Sequence, residues 1–598
     1  MISLSRPCAR RWLSILLVLY FAILPESCNA IQRVPHSQQV LEADRPEIEA
    51  ALRRHEVHLE TLPQLGSTRG NLDCKSACQG LKQVFGSQVI SRSDGEGYNS
   101  FTSSYWSMQQ AEVSPACIFI PESSKGIAIQ LLISRLTACP FAVKGGGHAS
   151  FAGSSSIENG IVVSLRSFSD ITLSADRATV TVGAGTRWGD VYAALEPHDL
   201  TVVGGRNSDV GVGGLTLGGG MSFFSNMHGL ACDNVAEFEV VLASGEVVVA
   251  SAREHADLYW ALRGGGNNLG IVTVFRFFTV PLPQGLVWGG GLTIDHGGVG
   301  QARVATAERW AHDGDSELRA PPHAVYGGIP PLLDAFYNIT VTGVNKNPKA
   351  SHILAVVVLA SAPDPHNIWM QGSVVASTML QYTAPVTAIP SVFEEYFTAL
   401  KIPPWSQAFM NRTLSNLTEL FSQGQPAGKR NMYWTATSKM DRAMMDHIVD
   451  YFLQVVAFGE IILGLSASLM FQSISTPMLK SMRKNGGNPL GLDGDEPRMV
   501  VTVVMSWDNS TDDAAVHRIS KSITRFVQGL ADEIGRSDDF VYNASQHQSV
   551  VAGYGEGNRE RLVEVARKYD PEGVFQELQP GYHNLLGSPQ EDNIPCDI

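Results

Sequence analysis

Apolar positions along this chain come in two textures. Between about Cys78 and Pro283, short apolar runs alternate with glycine: Gly160–Leu165, Ala178–Gly183, Glu237–Leu242 and, after a Ser244-Gly245 turn, Val247–Ala250. Runs of this length, rich in β-branched residues and bounded by glycine, predict strands. Helical spacing marks Trp188–Leu195 and Asp257–Leu262, and Gly264 stands where a left-handed cap would end the second. From about Leu286 to Ser537 the glycine clusters thin out, and the spacing predicts longer strands (His352–Leu359, Val500–Ser506) and longer helices (Asp441–Val456, Asp513–Ile534). That shift marks a domain boundary. After Phe540 the glycine-rich texture returns and ends in a helix, Arg559–Tyr569, with Leu562, Val563, Ala566 and Tyr569 on one apolar stripe. Turn chemistry at Asp570-Pro571-Glu572-Gly573 stops it.

The N-terminal stretch has neither texture. Residues 31–65 are polar and helix-prone, and Glu47–Leu59 carries charge with little apolar stripe, so this part is expected to be a peripheral arm. Before it, Arg6, Arg10 and Arg11 precede an apolar run of roughly 13 residues, Trp12–Leu24, and then Cys28-Asn29-Ala30. A span needs about 20 residues, so residues 1–30 read as a secretory signal cleaved after Ala30 rather than as an anchor. No later segment is apolar enough to cross a bilayer.

Composition narrows the classes of function. With 598 residues, 44% hydrophobic and 17% charged, the chain has material for one large core or two medium ones. Its formal charge of -14, without a Lys/Arg cluster, excludes a broad nucleic-acid surface. An anionic cofactor would have to be held by backbone N–H groups or a few local cations. Behind the signal stand Cys74, Cys78, Cys117, Cys139, Cys232 and Cys596, an even set that predicts disulfides in an oxidising compartment, with the pairing left open. Cys74 and Cys78 lack the partners of a zinc site, so they are expected in structural bridges, and no metal site is expected. Sequons at Asn338, Asn411, Asn416, Asn509 and Asn543 agree with secretion, and the first four are expected to carry N-glycans.

Three glycine-rich segments stand out: Lys144-Gly145-Gly146-Gly147-His148, the run Gly211 to Gly220, and Arg263 to Gly270. Successive glycines let backbone N–H groups turn inward and approach a diphosphate closely, and Lys144 adds a charge. A Rossmann fingerprint is approached at Gly211-Val212-Gly213-Gly214 with Asp233 some way on, but Thr216 occupies the position of its last glycine.

These segments resemble a known family. Phe141 to Gly153 resembles the phosphate loop and flavinylation site of FAD enzymes of the vanillyl-alcohol-oxidase (PCMH-type) superfamily, in the berberine-bridge-enzyme-like branch. Val202 to Gly220 with Gly229 to Val235, then Trp260 to Thr273, resemble that branch's second and third flavin-binding stretches. Tyr554-Gly555 with Asn558 to Leu562, Lys568 to Phe575 and Leu578-Gln579-Pro580 resemble its closing motif. The resemblance covers about residues 78–284 and 538–583, in the family's order.

It implies an α+β protein with a two-part FAD-binding domain (66–284, completed by 538–598) and an inserted antiparallel-sheet substrate domain (285–537). His148 matches the histidine bonded to the flavin 8α-methyl carbon. The implied FAD contacts come from Lys144, Gly145, Gly146, Gly147, Ala149 and Ser150 in the first loop. Val210, Gly211, Gly213, Gly214, Thr216, Gly218, Gly219 and Gly220 supply them in the second, and Asp233, Gly270, Ile271, Val272 and Asn543 elsewhere. Asn207 stands where many relatives carry a second, cysteinyl link, so a single histidyl bond is expected. Val210 matches a position where valine admits oxygen to the flavin, which implies an oxidase using O2. Tyr542, from a partial match to the family's Asn-Tyr-Ala motif, is the first choice for the base and Tyr433 the second. The implied function is a secreted oxidase of a small, secondary-metabolite-type substrate. The alternatives are a carbohydrate oxidase forming a lactone and a catalytically silent flavin-binding protein.

Overall fold

The computed structural model describes residues 37–66, 74–298, 329–360, 372–399, 406–407, 409–458, 462, 464–542, 547–581 and 583–585. The signal and its cleavage site, Cys596 and Asn543 lie outside the described residues.

The glycine-rich texture folds into two small sheets and a two-stranded ribbon of Leu200–Thr201 with Val280–Pro281. Val89–Ser91, Cys117–Phe119, Ile161–Ser164 and Phe141–Lys144 form the first in that spatial order, the last three strands parallel. Parallel neighbours need a crossover, and the helix Ser124–Thr137, buried from Gly126 onward, is part of it. The second sheet, wholly antiparallel, runs Ile171–Leu173, Thr179–Gly183, Ile271–Phe278, Val235–Val241, Val247–Ser251. The strands expected from sequence lie in these sheets to within two residues at either end. The expected short helices appear as Trp188–Leu195 and Ala256–Leu262, with Gly264 at φ +139° just past the second.

Between Leu286 and Asp538 the chain builds a nine-stranded antiparallel sheet whose long central strands are Leu286–Gly298, Gly372–Tyr382, Ala350–Ala360, Ser466–Ile474, Arg498–Trp507 and Arg430–Lys439. Side chains alternate across such a sheet. Ala467, Leu469 and Phe471, with Met499, Val501 and Val503, join one core with residues of the helices Arg442–Phe458 and Asp513–Glu533. Their strand neighbours Met470, Gln472 and Thr502 therefore point the other way, toward the glycine-rich half.

The C-terminal segment returns to that half. Leu562, Val565 and Ala566 of the helix Glu556–Tyr569, with Val574 and Phe575, are buried in its core. Val563 and Tyr569 only flank this core, so the buried face is carried by Val565, which the sequence reading passed over. Tyr554 donates to Gly264 O (2.9 Å), Tyr569 to Asp257 (2.8 Å), and the Arg561 guanidinium lies 3.8 Å over the Trp260 ring.

The N-terminal expectation needs correction. Ser37–Arg54 is a helix, but Ile48, Ala51 and Leu52, at helical spacing within its charged stretch, are buried in the same core as Val57, Leu62 and Leu65. Three apolar positions on one face suffice to dock a helix that reads as polar by composition. Two disulfides tie the helix Cys74–Phe85 in place: Cys74–Cys139 and Cys78–Cys117. The two close cysteines thus bridge to different partners, and Cys232 is buried with a free thiol.

Candidate functional site

A cavity of about 410 Å³ lies between the two halves, and its walls differ in kind. On one side are the turn after strand Phe141–Lys144 (Gly145, Gly146, Gly147) and the second loop (Gly211, Gly213, Gly214, Gly218), with Gly270 beyond. Here the chain needs glycine for a steric reason. A Cβ on Gly146 would lie 2.5 Å from Gly211 N, and one on Gly211 would lie 2.4 Å from Gly146 N, so the two loops touch backbone to backbone. A Cβ on Gly214 would meet nothing within 4 Å, because that face is open. The opposite wall is made of side chains from four strands of the large sheet: Ile353, Tyr433, Met470, Gln472 and Thr502.

His148 sits at the end of the first loop. Its ring stacks on Trp106 (centroids 4.3 Å apart, planes 10° apart), and Trp106 in turn faces Tyr433 at 5.8 Å. Trp106 is pinned by Nε1 donating to Gln425 O (2.9 Å) and its N–H to Gly147 O (3.2 Å). Burial pulls the His148 pKa down to about 4, so the imidazole is neutral near pH 7. Its Nε2 is buried with no hydrogen-bond partner. A buried polar atom without a partner is costly, and a neutral imidazole nitrogen in that state is suited to bonding an electrophile.

Ala149, Ser150, Val210, Ile271 and Val272 also line the cavity. Other expected contacts stand elsewhere. Lys144 Nζ turns away from the cavity, lies 3.8 Å over the Tyr105 ring and donates to Ser104 Oγ (2.6 Å), while burial lowers its pKa to about 7. Thr216, Gly219 and Gly220 are buried behind the wall, where a Cβ on Gly220 would strike Leu215 and Ala231. Asp233 is a buried clasp: it accepts from Leu230 N (2.9 Å) and from Asn488 Nδ2 (2.8 Å), and burial raises its pKa to about 6. Asn207 lines the cavity with its Oδ1 accepting from Ser422 Oγ (2.7 Å) and Asp209 N (2.9 Å).

Both tyrosines reach the cavity in different states. Tyr433 donates to Gln425 Oε1 (3.0 Å), and burial pushes its pKa up. Tyr542 accepts at Oη from Met221 N (3.1 Å).

Polar lining residues that sequence reading did not single out include Arg206, Gln425, Gln472 and Gln579. Gln579 falls inside the closing motif, and both its amide Nε2 and Oε1 are buried without a partner. Trp106 likewise went unnoticed, since an aromatic far from any glycine loop gives no local signal. Among the described residues no cluster of three His, Cys, Asp or Glu is placed to hold a metal ion.

The features fit a flavin nucleotide: a glycine cradle with one open face for a diphosphate, an amide with unmet hydrogen bonds on both atoms, and an imidazole nitrogen without a partner. Fold and cavity define an FAD-dependent oxidoreductase. Residues 115–251 match the family model described as an FAD binding domain, which takes in the first two glycine loops. The chain is 34% identical over 499 residues (81% of this chain, 88% of the relative) to an FAD-dependent monooxygenase of Cochliobolus heterostrophus. It is 32% identical over 548 residues (88% and 98%) to another from Fusarium proliferatum. The fold is shared with 6-hydroxy-D-nicotine oxidase from Arthrobacter nicotinovorans (TM-score 0.62, 20% identity, 83% of this chain and 97% of that one). It is shared too with glucooligosaccharide oxidase from Acremonium strictum (TM-score 0.64, 17% identity, 86% and 98%). The chain belongs to the vanillyl-alcohol-oxidase (PCMH-type FAD-binding) superfamily of FAD-linked oxidoreductases, in its berberine-bridge-enzyme-like branch.

Proposed function

We propose that the protein is a secreted oxidase that holds FAD covalently through His148 and oxidises a small substrate of the secondary-metabolite type with O2 as acceptor. The observation that carries this reading is His148 Nε2, buried beside the glycine cradle and bonded to nothing. Gly145 to Ser150, Gly211, Gly213, Gly214, Gly218 and Gly270 to Val272 would hold the cofactor, which when bound supplies a ring that accepts a hydride from a C–H bond. His148 would be its single tether, because Asn207 offers an amide already engaged with Ser422 and Asp209.

The chain's own part is to orient the substrate and move one proton. Tyr542 suits the proton transfer: its Oη lines the cavity and already accepts the Met221 N–H, a donor in place to stabilise charge left on that oxygen. Tyr433 keeps its proton near neutrality and spends it on Gln425, so it orders the wall behind Trp106. Val210, small and half-buried at the cavity, leaves room for O2. The name monooxygenase carried by the relatives makes oxygen incorporation the competing outcome. Two disulfides and exposed side chains at Asn338, Asn411, Asn416 and Asn509 support secretion with N-glycans.

Acid precipitation of the purified protein should leave yellow flavin on the peptide containing His148, and His148→Ala should release it. Turnover under labelled oxygen should yield labelled peroxide and an unlabelled product. Label in the product would overturn the oxidase assignment, and a folded chain that takes up no FAD from excess would overturn the whole reading.

A further inference from the structure

The buried arginines of this fold show what it does with a cation. Arg430 is held by both Glu112 oxygens (2.8 and 2.7 Å) and by Asp513 (2.7 and 2.5 Å). Arg498 pairs with Asp538 at 2.6 Å and Arg135 with Glu572 at 3.7 Å. Arg263 donates to the carbonyls of Lys484 (3.4 Å) and Asn485 (2.8 Å) and lies 4.5 Å over the Tyr259 ring. Each has a carboxylate, or carbonyls and a ring, as desolvated cations require.

Arg206 breaks this rule. It lines the cavity, half-buried, and forms no ion pair among the described residues. Its guanidinium donates only to Gln472 Oε1, a neutral oxygen. The contact is organised from behind: Gln472 Nε2 donates to Thr502 Oγ1 (2.8 Å), which aims the carbonyl of Gln472 at Arg206. The backbone leading to Arg206 is equally fixed, since Tyr192 donates to Gly205 O (2.6 Å) and a Cβ on Gly204 or Gly205 would strike the Trp188 ring. Burial lowers the Arg206 pKa and the nearby Tyr542 opposes the shift, so the cation shares its space with the residue suited to proton transfer. Apolar side chains share the cavity lining with it, Ile353, Met470, Leu215 and Phe421 among them.

A positioned cation with an unfilled fork, in a cavity that also presents apolar side chains, calls for an anion on an apolar body. We propose that Arg206, aimed by Gln472 and Thr502, is the recognition site for the anionic group, a carboxylate or enolate, of an otherwise apolar substrate. This rests on the cavity being the flavin site, and it adds the substrate class. The same pattern disfavours a neutral sugar, which offers this cation no charge to pair with.

Naphthoate and its neutral amide, naphthamide, are the probes, titrated into the purified holoprotein and followed by the change in the flavin's visible absorption. Wild type should bind naphthoate about tenfold or more tightly than naphthamide, the range of a charge-assisted hydrogen-bonded pair. Added salt should weaken naphthoate and leave naphthamide unmoved. Arg206→Gln should erase the preference, and Arg206→Lys should keep part of it, because it retains charge without the fork. A wild type without preference overturns the inference, as does a preference that survives in Arg206→Gln. A second source of the anion, the reduced cofactor, is separated by the flavin reduction potential. If Arg206→Gln lowers that potential and leaves the preference intact, the cation serves the cofactor and the inference is overturned. In both cases the flavin stays bound and the function proposed above stands, whereas a colourless chain that takes up no FAD removes both.

Discussion

The two walls of the cavity are built from different material. Toward the FAD half the lining is built around glycine backbone, with Gly146 and Gly211 in contact where a methyl group would not fit. Toward the large sheet the lining is side chains, Ile353, Met470, Gln472 and Thr502, standing on strands whose other faces are locked into the core under two helices. A backbone wall presents the same N–H groups whatever the rest of the sequence, and at Gly146 and Gly211 it tolerates no addition. A side-chain wall is replaceable residue by residue without disturbing the core behind it, because alternate strand positions face opposite ways. The first suits a constant ligand and the second a variable one.

The largest expected effect tests the rigid wall. Gly211→Ala puts a methyl carbon 2.4 Å from Gly146 N, and backbone on both sides leaves no flexible side chain to yield. The cost should be about 3 kcal/mol or more, seen as a lower Tm and a flavin-to-protein ratio near zero. Met470→Ala, on the other wall, should keep its flavin and lose no more than about 1 kcal/mol, since its side chain faces the cavity. If Gly211→Ala stays fully yellow while Met470→Ala does not, the division of labour is reversed.

Next in size is a split between the two tyrosines. With any substrate that reduces the flavin, Tyr542→Phe should lower kcat about 100-fold, the ordinary worth of a positioned proton acceptor, and leave flavin content unchanged. Tyr433→Phe removes one hydrogen bond to Gln425 and should cost less than about tenfold. Stopped-flow reduction of the flavin reads both. Equal losses would mean that the wall behind Trp106 matters as much as the residue assigned to the proton.

The same contrast explains what was legible in the sequence. The backbone wall announces itself locally: Gly145 to Gly147, Gly211 to Gly218 and Gly270 occur in short runs, and strand lengths and turns around them follow from neighbours in the chain. The side-chain wall does not. Arg206 lies 266 positions before Gln472, which it meets only in the folded chain, and Gln472 meets Thr502, 30 positions on, because the strands Ser466–Ile474 and Arg498–Trp507 pair in register. Lys144 and Asp233 show the converse error. They sit beside glycine loops in sequence, but Lys144 points at aromatic rings and Asp233 clasps Asn488, and which face a residue takes is decided by packing. The disulfide partners were out of reach for the same reason, since Cys74–Cys139 and Cys78–Cys117 depend on where a helix docks. The docking of Ser37–Arg54 itself rests on three residues within a charged stretch.

The smallest expected effect compares one buried histidine from each half. His148 and His352 are both held neutral by burial, with pKa values near 4 and 3, but their surroundings differ. His352, in the core of the large sheet, has Thr340 Oγ1 at 3.1 Å from Nε2 and Tyr396 Oη at 2.9 Å from Nδ1. A histidine with both nitrogens engaged is a structural element, whereas one with a free nitrogen beside a cavity is available for chemistry. The structural role has a pH signature. An unfolded histidine titrates near 6.5, so between about pH 6.5 and 3 the unfolded chain binds a proton that the folded chain refuses at His352. Stability from this site is therefore complete above the unfolded value and declines as the pH falls toward 3, by at most about 1.4 kcal/mol per pH unit for one proton. Urea unfolding of wild type and of His352→Gln between these limits should show the variant less stable near neutrality and its acid slope shallower by up to that amount. The other buried histidines are present in both proteins and cancel in the difference. Parallel slopes would mean that His352 takes up its proton without unfolding, and that the large-sheet core yields where its packing says it should not.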